Sequence, residues 1–142
     1  MRGQSALEMF VMVAFFAAFL IPFVLLFFTS ANVASEDVAI AQAQKAAEQI
    51  ADTADEVYFA GEGAKATISV FFPPGLAQIV IGGQSGHEVA LVLHTAAGRS
   101  DAVAVSAANI TTRTDWSTRL GSGVRRLNFT RVNGNVSVDA YE

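Results

Sequence analysis

The sequence predicts an α+β fold, in which a long N-terminal α-helix packs on a small antiparallel β-sheet head of about six strands. Three observations predict it. Residues 9–28 carry no charge, residues 40–57 repeat apolar side chains at helical spacing, and the hydrophobic period falls to two after Gly63. With 142 residues, the chain has room for one small domain beside a membrane segment.

The uncharged run is long enough to cross a membrane as a helix, because twenty residues span about 30 Å, the thickness of a hydrocarbon core. Arg2 precedes the run, and the only other charge before Glu36 is Glu8. The positive-inside tendency therefore predicts a cytoplasmic N-terminus and export of the rest. Pro22 removes one backbone hydrogen bond and crowds the carbonyl of Ala18, which predicts either a kink or a proline that a membrane helix simply tolerates.

The helical pattern becomes amphipathic beyond Ser30. An apolar stripe rich in alanine lets another element approach closely, and it consists of Ile40, Ala43, Ala47, Ile50, Ala54 and Val57. Gly61 and Gly63 are expected to end the helix.

Six strands are expected in the head, as a meander of three pairs: residues 67–72 with 77–81, 87–94 with 101–105, and 125–132 with 135–141. Pro73-Pro74-Gly75 is expected to turn the first pair. Asn133-Gly134 is expected to turn the third, since both residues tolerate positive φ. Residues 107–123 have no regular pattern and are expected to form a short helix or an exposed loop.

Charge is divided unevenly along the chain. Residues 36–62 carry seven acids against Lys45 alone, whereas the residues from Gly63 on carry seven bases and five acids. The basic head of one copy could attract the acidic helix segment of a neighbouring copy. The alternative is that both charged regions simply face solvent. The net charge of −4 leaves no basic face of the size that a nucleic acid needs, so no nucleic-acid partner is expected.

The residue types do not predict an enzyme. There is no cysteine, which excludes disulfides, thiolate catalysis and cysteine–zinc sites. His87 and His94 are seven residues apart around one predicted strand, so they point to opposite faces and are not expected to share a metal. No nucleophile motif or phosphate-binding loop occurs. We expect no catalytic residue, no metal and no cofactor.

Two features of the head suggest surface chemistry. Three tripeptides fit the N-glycosylation acceptor, and at least one is expected to carry a glycan: Asn109-Ile110-Thr111, Asn128-Phe129-Thr130 and Asn135-Val136-Ser137. Asn109 is the best candidate and Asn128, inside a predicted strand, the weakest. Trp116, among hydroxyls and arginines, is a candidate surface contact to a sugar or another subunit; the alternative is that it anchors its loop to the core.

The residues ahead of the apolar run, Arg2-Gly3-Gln4-Ser5-Ala6-Leu7-Glu8, resemble the precursor signal of type IV pilins. They are most similar to the glutamine-containing class III signal peptides of archaea. The end of the helix, Val57-Tyr58-Phe59-Ala60-Gly61, and the proline–glycine turn after it add to this resemblance, which covers about the first 80 residues.

The resemblance implies that a membrane peptidase cuts between Gly3 and Gln4 and leaves the apolar segment in the mature protein. It also implies that Glu8 pairs with the new amine, in its own or a neighbouring chain, and so fixes the stagger between subunits. Pro22 would then lie where the helix bends during assembly. The alternative for Glu8 is an ionised side chain within reach of the lipid headgroups.

A division of the chain follows: residues 1–3 are a leader, 4–32 the apolar helix, 33–62 its amphipathic continuation and 63–142 the β-rich head. The implied function is that of a structural subunit of an extracellular type IV pilus-like filament, used for adhesion or surface attachment. The implied partners are copies of itself, the prepilin peptidase, the assembly machinery and, as a precursor, the membrane. Two alternatives remain: a non-polymerising single-pass membrane protein that displays a binding domain, and a minor or accessory pilin.

Overall fold

The long N-terminal helix is present in the computed structural model, which describes residues 2–96 and 98–141 without the side chains of residues 2, 3, 5, 31 and 32. Met1 of the predicted leader, Ala97 of a predicted loop and the terminal Glu142 lie outside the described residues. Helix α1 (Arg2–Ala60) continues through Pro22. It ends where Gly61 takes a φ of +105°, as predicted, because a residue at positive φ does not continue a right-handed helix. By their contacts the residues form two compact units, Met1–Asp37 and Val38–Glu142.

Among the described residues of the second unit, seven strands form two sheets. They are β1 (Lys65–Phe72), β2 (Leu76–Gly82), β3 (Glu88–Thr95), β4 (Gly98–Val105), β5 (Ile110–Thr111), β6 (Gly123–Val132) and β7 (Asn135–Ala140). One sheet has the order β1-β6-β7-β5 and the other β2-β3-β4. Strand β5 runs parallel to β7, whereas the other pairs are antiparallel. The predicted α+β class is confirmed, but the head is a mixed seven-stranded arrangement and not a six-stranded antiparallel one.

The predicted meander is wrong at its first pair. Strand β1 pairs along its length with β6, from Lys65 opposite Thr130 to Phe72 opposite Gly123. The turn at Pro73-Pro74-Gly75 carries the chain from one sheet into the other, and the carbonyl of Gly75 accepts a hydrogen bond from the N–H of His94 on β3 (2.9 Å). The proline–glycine residues therefore predicted correctly that the chain turns here, but they did not predict that β1 pairs with β6.

The other two predicted pairs are confirmed. Strands β3 and β4 form the second, and β6 and β7 form the third. Asn133 and Gly134 have φ of +54° and +79°, the conformation for which this dipeptide is favoured in two-residue hairpins. The irregular stretch before β6 contains β5 and a short 3₁₀ helix, Trp116–Thr118.

The core lies between α1, from Ala39 on, and both sheets. The helix contributes a buried face of small side chains: Ala43, Ala46, Ala47, Ile50, Ala51, Ala54 and Val57. The strands contribute the larger ones, among them Phe72, Leu91, Leu93, Leu127 and Phe129, each almost completely buried. Burying a side chain of this size stabilises the fold by about 1.5–3 kcal/mol. The alanine-rich stripe therefore packs closely against the strands, as its pattern predicted.

The two sheets meet at a seam between β2 and β5. Gly82 (φ +89°) lies so close to the carbonyl oxygen of Ile110 that a Cβ there would collide with it. Beside it, the N–H of Ile110 donates to the carbonyl of Gly86 (2.6 Å). A glycine at position 82 is therefore required both by its φ and by the close approach of backbone.

Candidate assembly and processing sites

The apolar part of α1 is exposed. From Ala6 to Ser30 every side chain is solvent-exposed except Ala17, which is half-buried. By length and composition this helix is able to cross a membrane, and none of its most apolar stretch is buried. The uncharged surface of residues 9–28 is costly in water and favours being covered by lipid or by protein.

The predicted processing residues lie in the first turn of α1. Gly3 and Gln4 are helical, and Glu8 follows Gln4 by four residues, a rise of about 6 Å. Glu8 is exposed and makes no ion pair with another described residue. The roles of Gly3, Gln4, Glu8 and Pro22 stay predictions.

The three glycosylation tripeptides lie in different surroundings. Asn109 and Thr111 are both exposed, at the start of β5. Asn128 is half-buried within β6, and its side-chain oxygen accepts a weak hydrogen bond from Thr67 (3.4 Å). Asn135 is half-buried at the start of β7, and the hydroxyl of Ser137 is turned to Asp139 (2.8 Å). Asn109 therefore remains the most accessible acceptor, and occupancy of all three stays a prediction.

Trp116 does not form an exposed contact, because its ring is buried at 5% exposure. Its indole N–H donates to the hydroxyl of Thr112 (2.9 Å), so the polar edge of the ring is satisfied within its own loop. The candidate surface role is wrong, and the alternative, an anchor between loop and core, is what the structure has.

Asp115 begins the 3₁₀ helix that carries this tryptophan. Its carboxylate accepts hydrogen bonds from the hydroxyl (2.6 Å) and the N–H (3.0 Å) of Ser117. These two bonds favour the charged form and hold the pKa of Asp115 below its ordinary value of 3.8.

The two histidines are not brought together. His87 lies just before β3, and its Nδ1 is 2.8 Å from the carbonyl oxygen of Ala108. His94 is exposed near the far end of β3, opposite Arg99. Among residues 2–96 and 98–141, no three histidine, aspartate or glutamate side chains are grouped so that they could hold a metal ion.

Sequence reasoning missed two charged residues that join α1 to the β-rich part of the chain, one through the segment between β4 and β5 and one from β6. The carboxylate of Asp55 accepts from the hydroxyl of Ser106 (2.5 Å) and the N–H of Ala108 (3.1 Å). In the sequence it is one of several helical acids, and nothing marks it as the one that turns inward.

Arg131 is the second. Its guanidinium lies over the ring of Tyr58 (4.6 Å to the centroid) and donates to the carbonyl oxygen of Tyr58 in the last turn of α1. It also pairs with Glu62 (3.6 Å), which in turn accepts from the N–H of Asn133 (2.6 Å). The helix dipole favours a cation at the C-terminus of a helix. Arg131, however, lies 71 positions after Ala60, so the sequence gives no sign that it reaches the end of α1.

Comparison with protein families, with curated proteins and with solved structures finds no match to this chain.

Proposed function

We propose that this chain is a structural subunit of an extracellular type IV pilus-like filament, made as a membrane-anchored precursor, cut before Gln4 and polymerised through its apolar helix. One observation carries the proposal. The uncharged run of residues 9–28 has exposed side chains along its length and is directly preceded by Gly3-Gln4 and Glu8. Adhesion or surface attachment is the role proposed for the filament.

The physical basis of the proposal is that the apolar surface of residues 9–28 passes from the lipid bilayer into contact with other copies of the helix. In a bilayer, lipid covers the run as well as another helix would, so the hydrophobic effect does not drive copies together. Once the helix leaves the lipid, its apolar surface must be buried against other copies. At about 25 cal/mol per Å², this burial contributes on the order of tens of kcal/mol gross for each subunit. Such filaments dissociate rarely.

Glu8 gives the assembly its register in this proposal. A carboxylate beside an apolar run is costly unless it is paired. Cleavage before Gln4 creates an amine one helical turn away, and a pair between Glu8 of one copy and the amine of the next fixes their axial offset. The proposal includes a prepilin peptidase and an assembly machinery as partners, and N-glycans on the exported head.

The test compares two isosteric changes on the same helix. Glu8→Gln removes the charge beside the run, and Asp37→Asn removes an exposed charge beyond it. We expect Glu8→Gln to abolish filaments while the protein stays in the membrane, and Asp37→Asn to leave filaments unchanged, as judged by electron microscopy and membrane fractionation.

The competing function is a single-pass membrane protein that displays the β-rich unit, which the length and composition of α1 allow equally. In that case wild-type cells have no filaments, and Glu8→Gln and wild-type protein behave alike. A minor or accessory pilin would be found in few copies in each filament, which quantitative mass spectrometry of purified filaments measures.

A further inference from the structure

The three-stranded sheet β2-β3-β4 has an apolar outer face in addition to the face that it turns to the core. Residues directly opposite each other on neighbouring strands lie on the same face of a sheet. Val80 is opposite Ala90, and Ala90 is opposite Val103. Val92 and Val105 lie on the same face, because alternate residues of a strand point to one side. These five residues are called the valine face below.

The other sheet has the pattern of a sheet with one face in water. Along β1, Ile68 and Val70 point into the core, whereas Thr67 and Ser69 between and beside them are exposed. Antiparallel sheets with one solvated face alternate in this way. Strand β3 does not alternate, since residues 89–93 are an unbroken apolar run of the kind found in strands that are covered on both faces.

The core covers only one of the two apolar faces of β3. It includes three residues of this strand but neither Ala90 nor Val92, although these two are 6% and 5% exposed. Strand β3 is central in its sheet, so the side chains of β2 and β4 shield them from either side. On β4, Val103 and Val105 remain 41% and 74% exposed. The hydrophobic effect therefore favours contact between the valine face and another apolar surface.

The size of the valine face limits what can cover it. Three strands about 4.8 Å apart and about 13 Å long give an area of roughly 200 Å². Each partner in a stable complex of separate proteins buries about 800 Å². A freely diffusing partner would not stay bound to so small a face. A second copy of this chain that is already held through its apolar helix has an effective concentration in the millimolar range, for which a small face is sufficient.

Helix α1 has a matching surface at the start of the second unit. Val38, Ala41 and Lys45 share one helical face, because they are spaced by three and four residues, and all three are exposed. Ala39 packs on the core from another side of the helix. Residues 38–41 are thus apolar all round, which is typical of a helix that is covered on every side. The small side chain of Ala41 allows a strand to approach closely.

One pair of opposite charges fits a contact between these two surfaces. Lys45 lies about 6 Å beyond Ala41 along the helix. Glu88 is opposite Val105, about 7 Å beyond Val103 along the sheet. If Ala41 packs on Val103, the ammonium group of Lys45 therefore reaches the carboxylate of Glu88. Neither charged group makes an ion pair with another described residue.

We propose that α1 of a second copy covers the valine face, with Val38 and Ala41 on Val103 and with Lys45 beside Glu88. The two surfaces are different parts of one chain, so the contact is heterologous and can repeat from copy to copy. The inference rests on the proposed function in one respect: the apolar helices hold the copies side by side. It adds a second contact, which orients the β-rich units.

The test is cross-linking of the full-length chain on intact cells. The wild-type chain has no cysteine, so Val38→Cys with Val103→Cys provides one thiol on each surface. A short bis-maleimide should give a ladder of covalent multimers, whereas a link within one chain adds no second copy. Each single-cysteine variant can join two copies at most. The matched control is Val38→Cys with Thr67→Cys, whose second thiol lies exposed on the other sheet, and it should give no ladder.

A charge exchange tests the chemistry of the contact. In the Val38→Cys, Val103→Cys chain, Lys45→Glu and Glu88→Lys are each expected to lower the yield of multimers about fivefold, through lost attraction and added repulsion. The two changes together should restore the yield. Lys65→Glu, at an exposed position on β1, is the control and should leave it unchanged. Emission of Trp116, the single tryptophan, checks that each variant is folded.

The outcomes separate the two proposals. Filaments without a ladder, a ladder of equal strength from the Thr67→Cys control, or an exchange that fails to restore the yield in folded protein overturns the docking alone. A ladder without filaments contradicts the proposed function alone. Monomers in the membrane with no ladder overturn both.

Discussion

Two single residues, Asp55 and Arg131, make polar connections between α1 and the β-rich part of the chain. Asp55 and Arg131 both act at positions where the backbone of another element ends or turns. Their roles depend on which residues lie opposite in space, so they were not predictable from the sequence. By contrast, Asn133-Gly134 was predictable, because the φ values that this turn needs are a property of the two residues themselves.

Asp55→Ala is expected to destabilise the fold by about 2 kcal/mol, since it leaves the buried hydroxyl of Ser106 without its acceptor and the N–H of Ala108 with the Ser106 hydroxyl oxygen (3.0 Å) alone. Asp52→Ala, one turn away and exposed, is the control and should change the free energy of unfolding by less than about 0.5 kcal/mol. Chemical unfolding of the two variants measures both. Equal effects would show that the Asp55 contacts contribute nothing.

Asp115 predicts a pH effect at Trp116. Because hydrogen bonds from Ser117 lower the pKa of Asp115, its contribution to stability is present above the ordinary pKa of 3.8. That contribution is lost as the pH falls through the lower, folded-state pKa. Tryptophan fluorescence should therefore change with a midpoint below pH 3.8, and Asp115→Asn should remove this transition. A midpoint above that value would contradict the hydrogen-bonded geometry.

Helices and hairpins were predicted correctly where neighbouring residues determine them, and strand pairings between distant parts of the chain were not. The helix, its buried stripe and two hairpins follow from periodicity and turn residues. The pairing of β1 with β6, more than fifty residues later, and the parallel contact of β5 with β7 have no local signal. Pro73-Pro74-Gly75 was misread because a turn between two sheets and a turn within one use the same residues.

The seam between β2 and β5 predicts a contrast between two glycines. Gly82→Ala introduces a Cβ against the carbonyl of Ile110 and is expected to cost at least about 3 kcal/mol. Gly134→Ala meets no atom within 4 Å, so only the positive φ is unfavourable, at about 1 kcal/mol. Thermal unfolding followed by circular dichroism measures which of the two variants loses more stability. Equal losses would mean that the seam opens to accept the methyl group.

For the whole molecule, the proposed function assigns assembly to the apolar run of residues 9–28. A chain that begins at Val38 keeps the buried core of α1 and both sheets. It should therefore be soluble and monomeric at micromolar concentration, with buried-type Trp116 emission, as size-exclusion chromatography and fluorescence would show. If the truncated chain forms multimers as large as those of the full chain, the main interface between copies lies in the head and not in the apolar run.

The most direct test of the central claim is mass spectrometry of the N-terminal peptide of cell-surface polymers isolated by shear. The account predicts that this peptide begins at Gln4 and continues unbroken into the uncharged residues 9–28. Surface material that begins beyond Phe28 and behaves as single soluble copies would contradict it.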